Sequence, residues 1–151
     1  MDRRQADILV ADLAAQLGST ALALDENGMC VLGIDNEKMM VSIGYNRAAG
    51  ALELIASLNT VEPSPARIAA ALMANFERPS GDAASLATEP SSGTFVLQRR
   101  WLTPDLGDGG LPGALLAFLT EADAWNKRLA EVADDPDPAA RGPAPDAGVR
   151  A

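Results

Sequence analysis

The sequence predicts an α+β domain: a mostly antiparallel, twisted sheet with three helices, in the order α-β-β-β-β-α-β-β-α. Three observations predict it. Apolar residues recur at helical spacing in three separate stretches. Between these stretches, short runs alternate apolar and polar letters with the period of two that strands require. The turns joining those runs are short and rich in Gly, Asn and Asp, which favours antiparallel neighbours over crossover connections.

The first helix spans residues 3 to 17, where Ala6, Leu9, Val10, Leu13 and Leu17 share a stripe and Gly18 follows as a C-terminal cap. A strand meander follows. Its runs are Ala21 to Leu24, Met29 to Ile34 and Met39 to Asn46, separated by Asp25-Glu26-Asn27-Gly28 and Asp35-Asn36-Glu37. Asn27-Gly28 signals a tight turn, because both residues tolerate positive φ. ALELIASL, residues 51 to 58, alternates as a strand does but also fits helical spacing. The preceding Arg47-Ala48-Ala49-Gly50 reads as a hairpin turn and favours a strand. Ser64-Pro65 opens the second helix, with Ser64 as N-cap and Pro65 at the first helical position. Ile68, Ala69, Leu72, Met73 and Phe76 form its stripe, and Arg78-Pro79-Ser80-Gly81 ends it. Ala84 to Thr88 and Thr94 to Trp101 make a second hairpin. After a Gly- and Pro-rich loop over 103 to 113, the longest helix runs from Ala114 to about Ala133. Its stripe is Leu115, Phe118, Leu119, Ala122, Trp125 and Leu129. Residues 1 to 133 therefore read as one domain. Residues 134 to 151 are Pro, Ala and Asp with little bulky apolar content, and they read as a disordered tail.

Composition excludes several functions. The 151 residues carry no histidine and one cysteine, Cys30. Histidine-based metal sites, Ser–His triads and Cys–His dyads are therefore out of reach, as is an internal disulfide. The net charge of −9 disfavours nucleic acid, which demands a basic face. No apolar run approaches the ~20 residues of a membrane span, and acids interrupt the N-terminal pattern where a signal peptide requires an apolar centre. A cytoplasmic protein is expected.

Motifs that carry chemistry are scarce. Asp25-Glu26-Asn27-Gly28 has the letters of a calcium loop without its spacing, and solvated turn chemistry explains it better. Gly107-Asp108-Gly109-Gly110 lacks the Lys-Ser/Thr sequel of a phosphate cradle. Cys30 sits in a strand pattern with no basic neighbour to activate it. Arg99-Arg100-Trp101 is the local basic cluster. It reads as the polar end of a strand, or as an anchor for an acidic group on a partner. Met39-Met40 is more telling. Adjacent strand residues face opposite ways, so one methionine lies off the core face and is exposed or buried in an interface.

Taken with this meander, the chain resembles the class I type III secretion chaperones, the Tir chaperone (CesT) family. The resemblance runs over about residues 5 to 132, through LALDENGMCVLGID, VSIGYN, LELIASLNTVEPSP, IAAALMANF and TFVLQRRW. Its most specific parts are Asp25-x-x-Gly28-x-Cys30-x-Leu32-x-Ile34-Asp35 and Leu72-Met73-Ala74-Asn75. It implies a strand at ALELIASL. It also implies a homodimer without catalytic activity or cofactor that holds the N-terminal segment of a secreted effector in extended form. The effector would lay apolar side chains into surface grooves, add strand pairing at a sheet edge, and be delivered to the export ATPase. The expected dimer contacts are Ile68, Leu72, Met73 and Phe76, together with the strand after Gly81. The expected effector contacts are Leu9, Leu13, Val31, Met40 and Ile43. Two other readings compete. One is an adaptor of the same fold that sequesters a regulator of secretion genes. The other is a small hydrolase using Asp25, Asp35 or Glu53, which demands a pocket where two carboxylates converge.

Overall fold

The fold was analysed in a computed structural model, which describes residues 1–35, 38–59, 62–77 and 84–133. The tail expected from Asp134, the Arg78-Pro79-Ser80-Gly81 stop and part of the Asp35-Asn36-Glu37 turn lie outside the described residues. The chain runs α1 (Arg3–Gln16), β1 (Met29–Ile34), β2 (Met39–Asn46), β3 (Ala51–Ser57), α2 (Pro65–Glu77), β4 (Ser85–Thr88), β5 (Phe95–Trp101) and α3 (Gly110–Glu131). The strands form one antiparallel sheet in the order β1-β2-β3-β5-β4. This is the expected α+β architecture of three helices on an antiparallel sheet.

Local chemistry sets most element ends. Asp2 and Gln5 form a capping box on α1: each side chain accepts from the other's backbone N–H at 2.8 Å. Gly18, at φ 64°, closes the same helix, with Ser19 N–H reaching the Ala14 carbonyl and Gly18 N–H reaching Ala15. Ser64 caps α2 as expected: its Oγ accepts from Arg67 N–H at 3.4 Å, and its carbonyl accepts the first helical bond from Ile68 N–H at 2.8 Å. The α3 helix begins at Gly110, earlier than the expected Ala114. Pro112 falls in its first turn, where the missing N–H has no intrahelical partner to lose.

Residues 21 to 24 do not join the sheet. Leu22 and Leu24 are buried, which reproduces a strand's alternation. However, the Leu24 and Asp25 carbonyls accept from the Arg3 guanidinium at 3.2 and 2.8 Å rather than from a neighbouring strand. The sheet accordingly has five strands, with β1 as one edge and β4 as the other. ALELIASL is a strand, paired on both sides by β2 and β5.

One sheet face is closed by the core. Leu32, Val41, Ile43, Leu52, Leu54, Ala56, Leu86 and Leu97 point into it and meet α1 and α3. From the helices come Val10, Leu13, Phe118, Ala122, Trp125 and Leu129. The α2 helix lies beside β4. Among the described residues, no helix is long and apolar enough to cross a membrane.

Candidate partner-binding surfaces

The α2 helix is turned inside out. Its small residues face the fold: Ala71 is buried and Ala74 packs against the core. Its large ones face solvent: Ile68 is 40% exposed, Leu72 and Met73 64%, and Phe76 90%. A solitary helix normally buries such residues, each worth about 1.5–3 kcal/mol when fully covered. Four of them on one element make a contiguous face that no described residue covers. All four expected dimer residues lie on it.

A second apolar surface lies on the sheet face away from the core, at the β1 end. Met29 is 39% exposed, Val31 54% and Met40 36%. Met29 packs across Gly44, whose missing side chain makes room: a Cβ there would stand 2.6 Å from the Met29 sulfur. The neighbouring Met39 turns inward and packs against the core, so the two methionines divide between faces as the strand period requires. Further along the same face the surface becomes polar. Glu53 accepts from Arg100 Nε at 2.7 Å and Asn46 Nδ2 at 3.0 Å.

The expected effector contacts divide. Val31 and Met40 are on this outer surface, and Leu9 is half-buried on α1. Leu13 and Ile43 are corrected: they are 1% and 0% exposed, and both belong to the core. Leu13 occupies the inner stripe of α1, and Ile43 shares a face with Val41, opposite Cys30 and Leu54. Sequence reasoning missed Met29, although its spacing of two from Val31 places both on one face. Leu17, placed in the α1 stripe by its spacing, is the C-cap and is 55% exposed; Ile8, Leu102 and Leu116 are exposed as well and were not singled out.

The two sheet edges differ in their backbone chemistry. In an antiparallel ladder, alternate residues of an edge strand aim their N–H and C=O away from the neighbour. Tyr45 N–H donates to the Gly28 carbonyl at 2.7 Å, which places Cys30, Leu32 and Ile34 among the residues bonded to β2. Met29, Val31 and Gly33 therefore aim outward. Met29 is already satisfied: its N–H donates to the Asp25 carboxylate and its carbonyl accepts from Asp25 N–H, both at 2.8 Å. Among the described residues, the open part of the β1 edge is thus Val31 and Gly33. At the other edge, the Asn75 side chain covers Leu86, accepting from its N–H at 2.9 Å and donating to its carbonyl at 2.8 Å. An α2 amide imitates a neighbouring strand and blunts β4.

The titratable groups are occupied structurally. Hydrogen bonds, led by that from Met29 N–H, hold the Asp25 carboxyl below its usual range. Burial pushes the Cys30 thiol up, with Asp25 adding to the shift, so it is protonated at neutral pH and a poor nucleophile. Asp35 pairs with Lys38 at 2.9 Å and Glu53 with Arg100. Asp25 and Asp35 lie beyond opposite ends of β1, so they do not converge. Among the described residues, no group of His, Cys, Asp or Glu could hold a metal ion.

The family model for Tir chaperone proteins (CesT) matches residues 8–126. The chain belongs to the CesT family. Solved structures of similar fold are themselves complexes. One is the ExsC-ExsE complex, at TM-score 0.68 and 23% identity over 85% of this chain and 97% of the other. Another is the HopA1-SchA chaperone-effector complex, at TM-score 0.64 and 20% identity over 83% and 95%. A third is the Yersinia pestis type III secretion chaperone SycH with a fragment of YscM2, at TM-score 0.63 and 16% identity over 80% and 98%. No curated protein sequence matches the chain. Membership agrees with the resemblance seen in the sequence, and the fold is that of type III secretion chaperones.

Proposed function

We propose that this CesT-family chain is a homodimeric type III secretion chaperone. It binds the N-terminal segment of a bacterial effector in extended form and keeps it soluble and competent for export. The observation that carries this reading is the open β1 edge at Val31 and Gly33, bordered by exposed Met29, Val31 and Met40. An extended polypeptide is what such a site fits. Its backbone pairs with the edge, and alternate side chains rest on the apolar surface. Methionine suits this use because its flexible thioether adapts to different side chains.

The α2 face serves the second copy. Ile68, Leu72, Met73 and Phe76 are large, close together and on a rigid element, which suits a two-fold interface. The blunted β4 edge makes that interface a packing of side chains rather than a continued sheet. The negative charge keeps dimers apart while the apolar sites stay available. Ordering an extended client lowers affinity per unit of buried area, which suits later release to the export ATPase. The work takes place in the bacterial cytoplasm and involves no cofactor or catalysis.

The test is purification of the tagged chain from its native cells, followed by native mass spectrometry. Two copies bound to one larger secreted protein are the expected result. A monomer that carries no polypeptide would defeat the proposal.

A further inference from the structure

Arg99, part of the Arg99-Arg100-Trp101 cluster, takes no part in the apolar α2 face or the β1 edge. It stands on the core face of β5, opposite Leu54 and two residues from both Leu97 and Trp101. Its guanidinium lies over the Trp101 ring, 4.9 Å from the centroid. Its Nε is buried and bonds to no acceptor among the described residues. The side chain is only half-buried, so the rest of its donor fork is within reach of a partner. Four other cations have a carboxylate: Arg3 with Asp7, Lys38 with Asp35, Arg100 with Glu53 and Lys127 with Asp123, all within 2.9 Å. Arg128 stacks on a ring as Arg99 does, over Trp125 at 5.0 Å, but on a helix rather than on the core face of the sheet. The chain has 21 acidic residues, yet none among the described residues pairs with Arg99. A charge turned toward a core is normally paired, because an orphaned one bears its desolvation cost uncompensated.

The neighbourhood indicates where the missing anion comes from. Ala84 is level with Arg99, since the next residue, Ser85, opposes Gln98. The α2 helix starts near the end of α3, where Arg67 Nε donates to the Leu129 carbonyl, and it reaches Leu86 through Asn75. Its last turn therefore ends near the level of Arg99, and that turn carries Phe76, 90% exposed.

We propose that Arg99 receives a carboxylate from a second copy of this chain and so closes the polar end of the α2 interface. This rests on the α2 dimer proposed above. The two ends of α2 carry one exposed carboxylate each, Glu62 just before it and Glu77 as its last residue. An antiparallel pair of α2 helices brings Glu62 of the second copy toward Arg99, and a parallel pair brings Glu77. A two-fold axis makes the contact twice. Apolar contacts alone are tolerant of sliding, whereas a guanidinium–carboxylate fork is directional and sets how the helices align.

The test measures dimer dissociation by analytical ultracentrifugation for Arg99→Met, Leu72→Asp and charge reversals. Arg99→Met is expected to weaken the dimer about 100-fold, roughly tenfold for each of two contacts. In a Leu72→Asp monomer, Arg99→Met should leave the melting temperature equal or higher, since it removes an unpaired charge. Arg99→Glu should regain dimerisation with either Glu62→Arg or Glu77→Arg, which identifies the source. Dimerisation of Arg99→Met within twofold of the parent, with Leu72→Asp still disruptive, overturns the inference and leaves the α2 dimer standing. An undisturbed Leu72→Asp dimer overturns both. A loss of monomer stability with Arg99→Met would assign the charge to the chain's own fold and overturn the inference.

Discussion

Replacing Val31 with proline separates strand addition at β1 from simple apolar adhesion. Val31 N–H points away from β2, so the substitution removes no bond of the β1–β2 ladder; the flanking pairs Cys30↔Ile43 and Leu32↔Val41 remain. Proline is tolerated on edge strands for this reason. The fold should lose no more than about 1 kcal/mol. A bound client behaves differently. Val31 and Gly33 together offer it two N–H and two C=O groups, each worth about 1 kcal/mol net. Proline deletes one donor, and its ring displaces the strand that would accept from it. The loss of about 2 kcal/mol corresponds to roughly 30-fold weaker binding. Val31→Ala, which keeps the N–H and shortens the side chain, should weaken binding by less than about tenfold. Isothermal titration with the client segment measures the affinities, and circular dichroism checks folding. A folded Val31→Pro protein that binds the client within twofold of the parent would refute strand addition at this edge.

Leu72→Asp should convert the proposed dimer to a monomer that stays folded, because Leu72 is 64% exposed; light scattering coupled to gel filtration reads the mass. Asn75→Ala removes both bonds to Leu86 and should lower stability by about 1–3 kcal/mol in urea unfolding, while the bared β4 edge promotes aggregation. Glu89 gives a pH test. Hydrogen bonds from Ser91 and Ser92 lower its carboxyl from 4.5 to about 2. A depressed folded-state value means the stabilisation is complete above pH 4.5 and is lost as pH falls toward 2. The parent should therefore be more stable than Glu89→Gln at neutral pH, and thermal melts should show the difference shrinking through that window.

Much of this fold was legible because its determinants are local. Helix spacing, the caps at Gly18 and Ser64, and the bounds of β1 and β2 follow from residues within a turn or two of each other. Residues 21 to 24 were misread for a physical reason. Alternating burial marks any extended segment laid over a core, and only a neighbour's hydrogen bonds make it a strand. Here Arg3, distant in sequence, supplies them. The start of α3 was placed late because glycine and proline normally signal a loop, and they enter the helix only within its first turn.

The surfaces were legible in kind and less so in detail. Sequence alone determined that the chain is an acidic α+β protein without histidine chemistry. It also determined that apolar residues lie on both sides of its meander, and that its motifs resemble secretion chaperones. Tertiary structure decided which apolar residues remain outside. On α2, the stripe could have turned Leu72 and Met73 inward; Ala71 and Ala74 face the fold instead. On β2, Ile43 and Met40 are equally apolar in the sequence, yet one is sealed in the core and the other is exposed. Burial depends on which layer packs against which face, and that comes from contacts between elements far apart in the chain. The same long-range packing left Arg99 facing the core with no anion of its own among the described residues, and the β1 edge open at Val31 and Gly33.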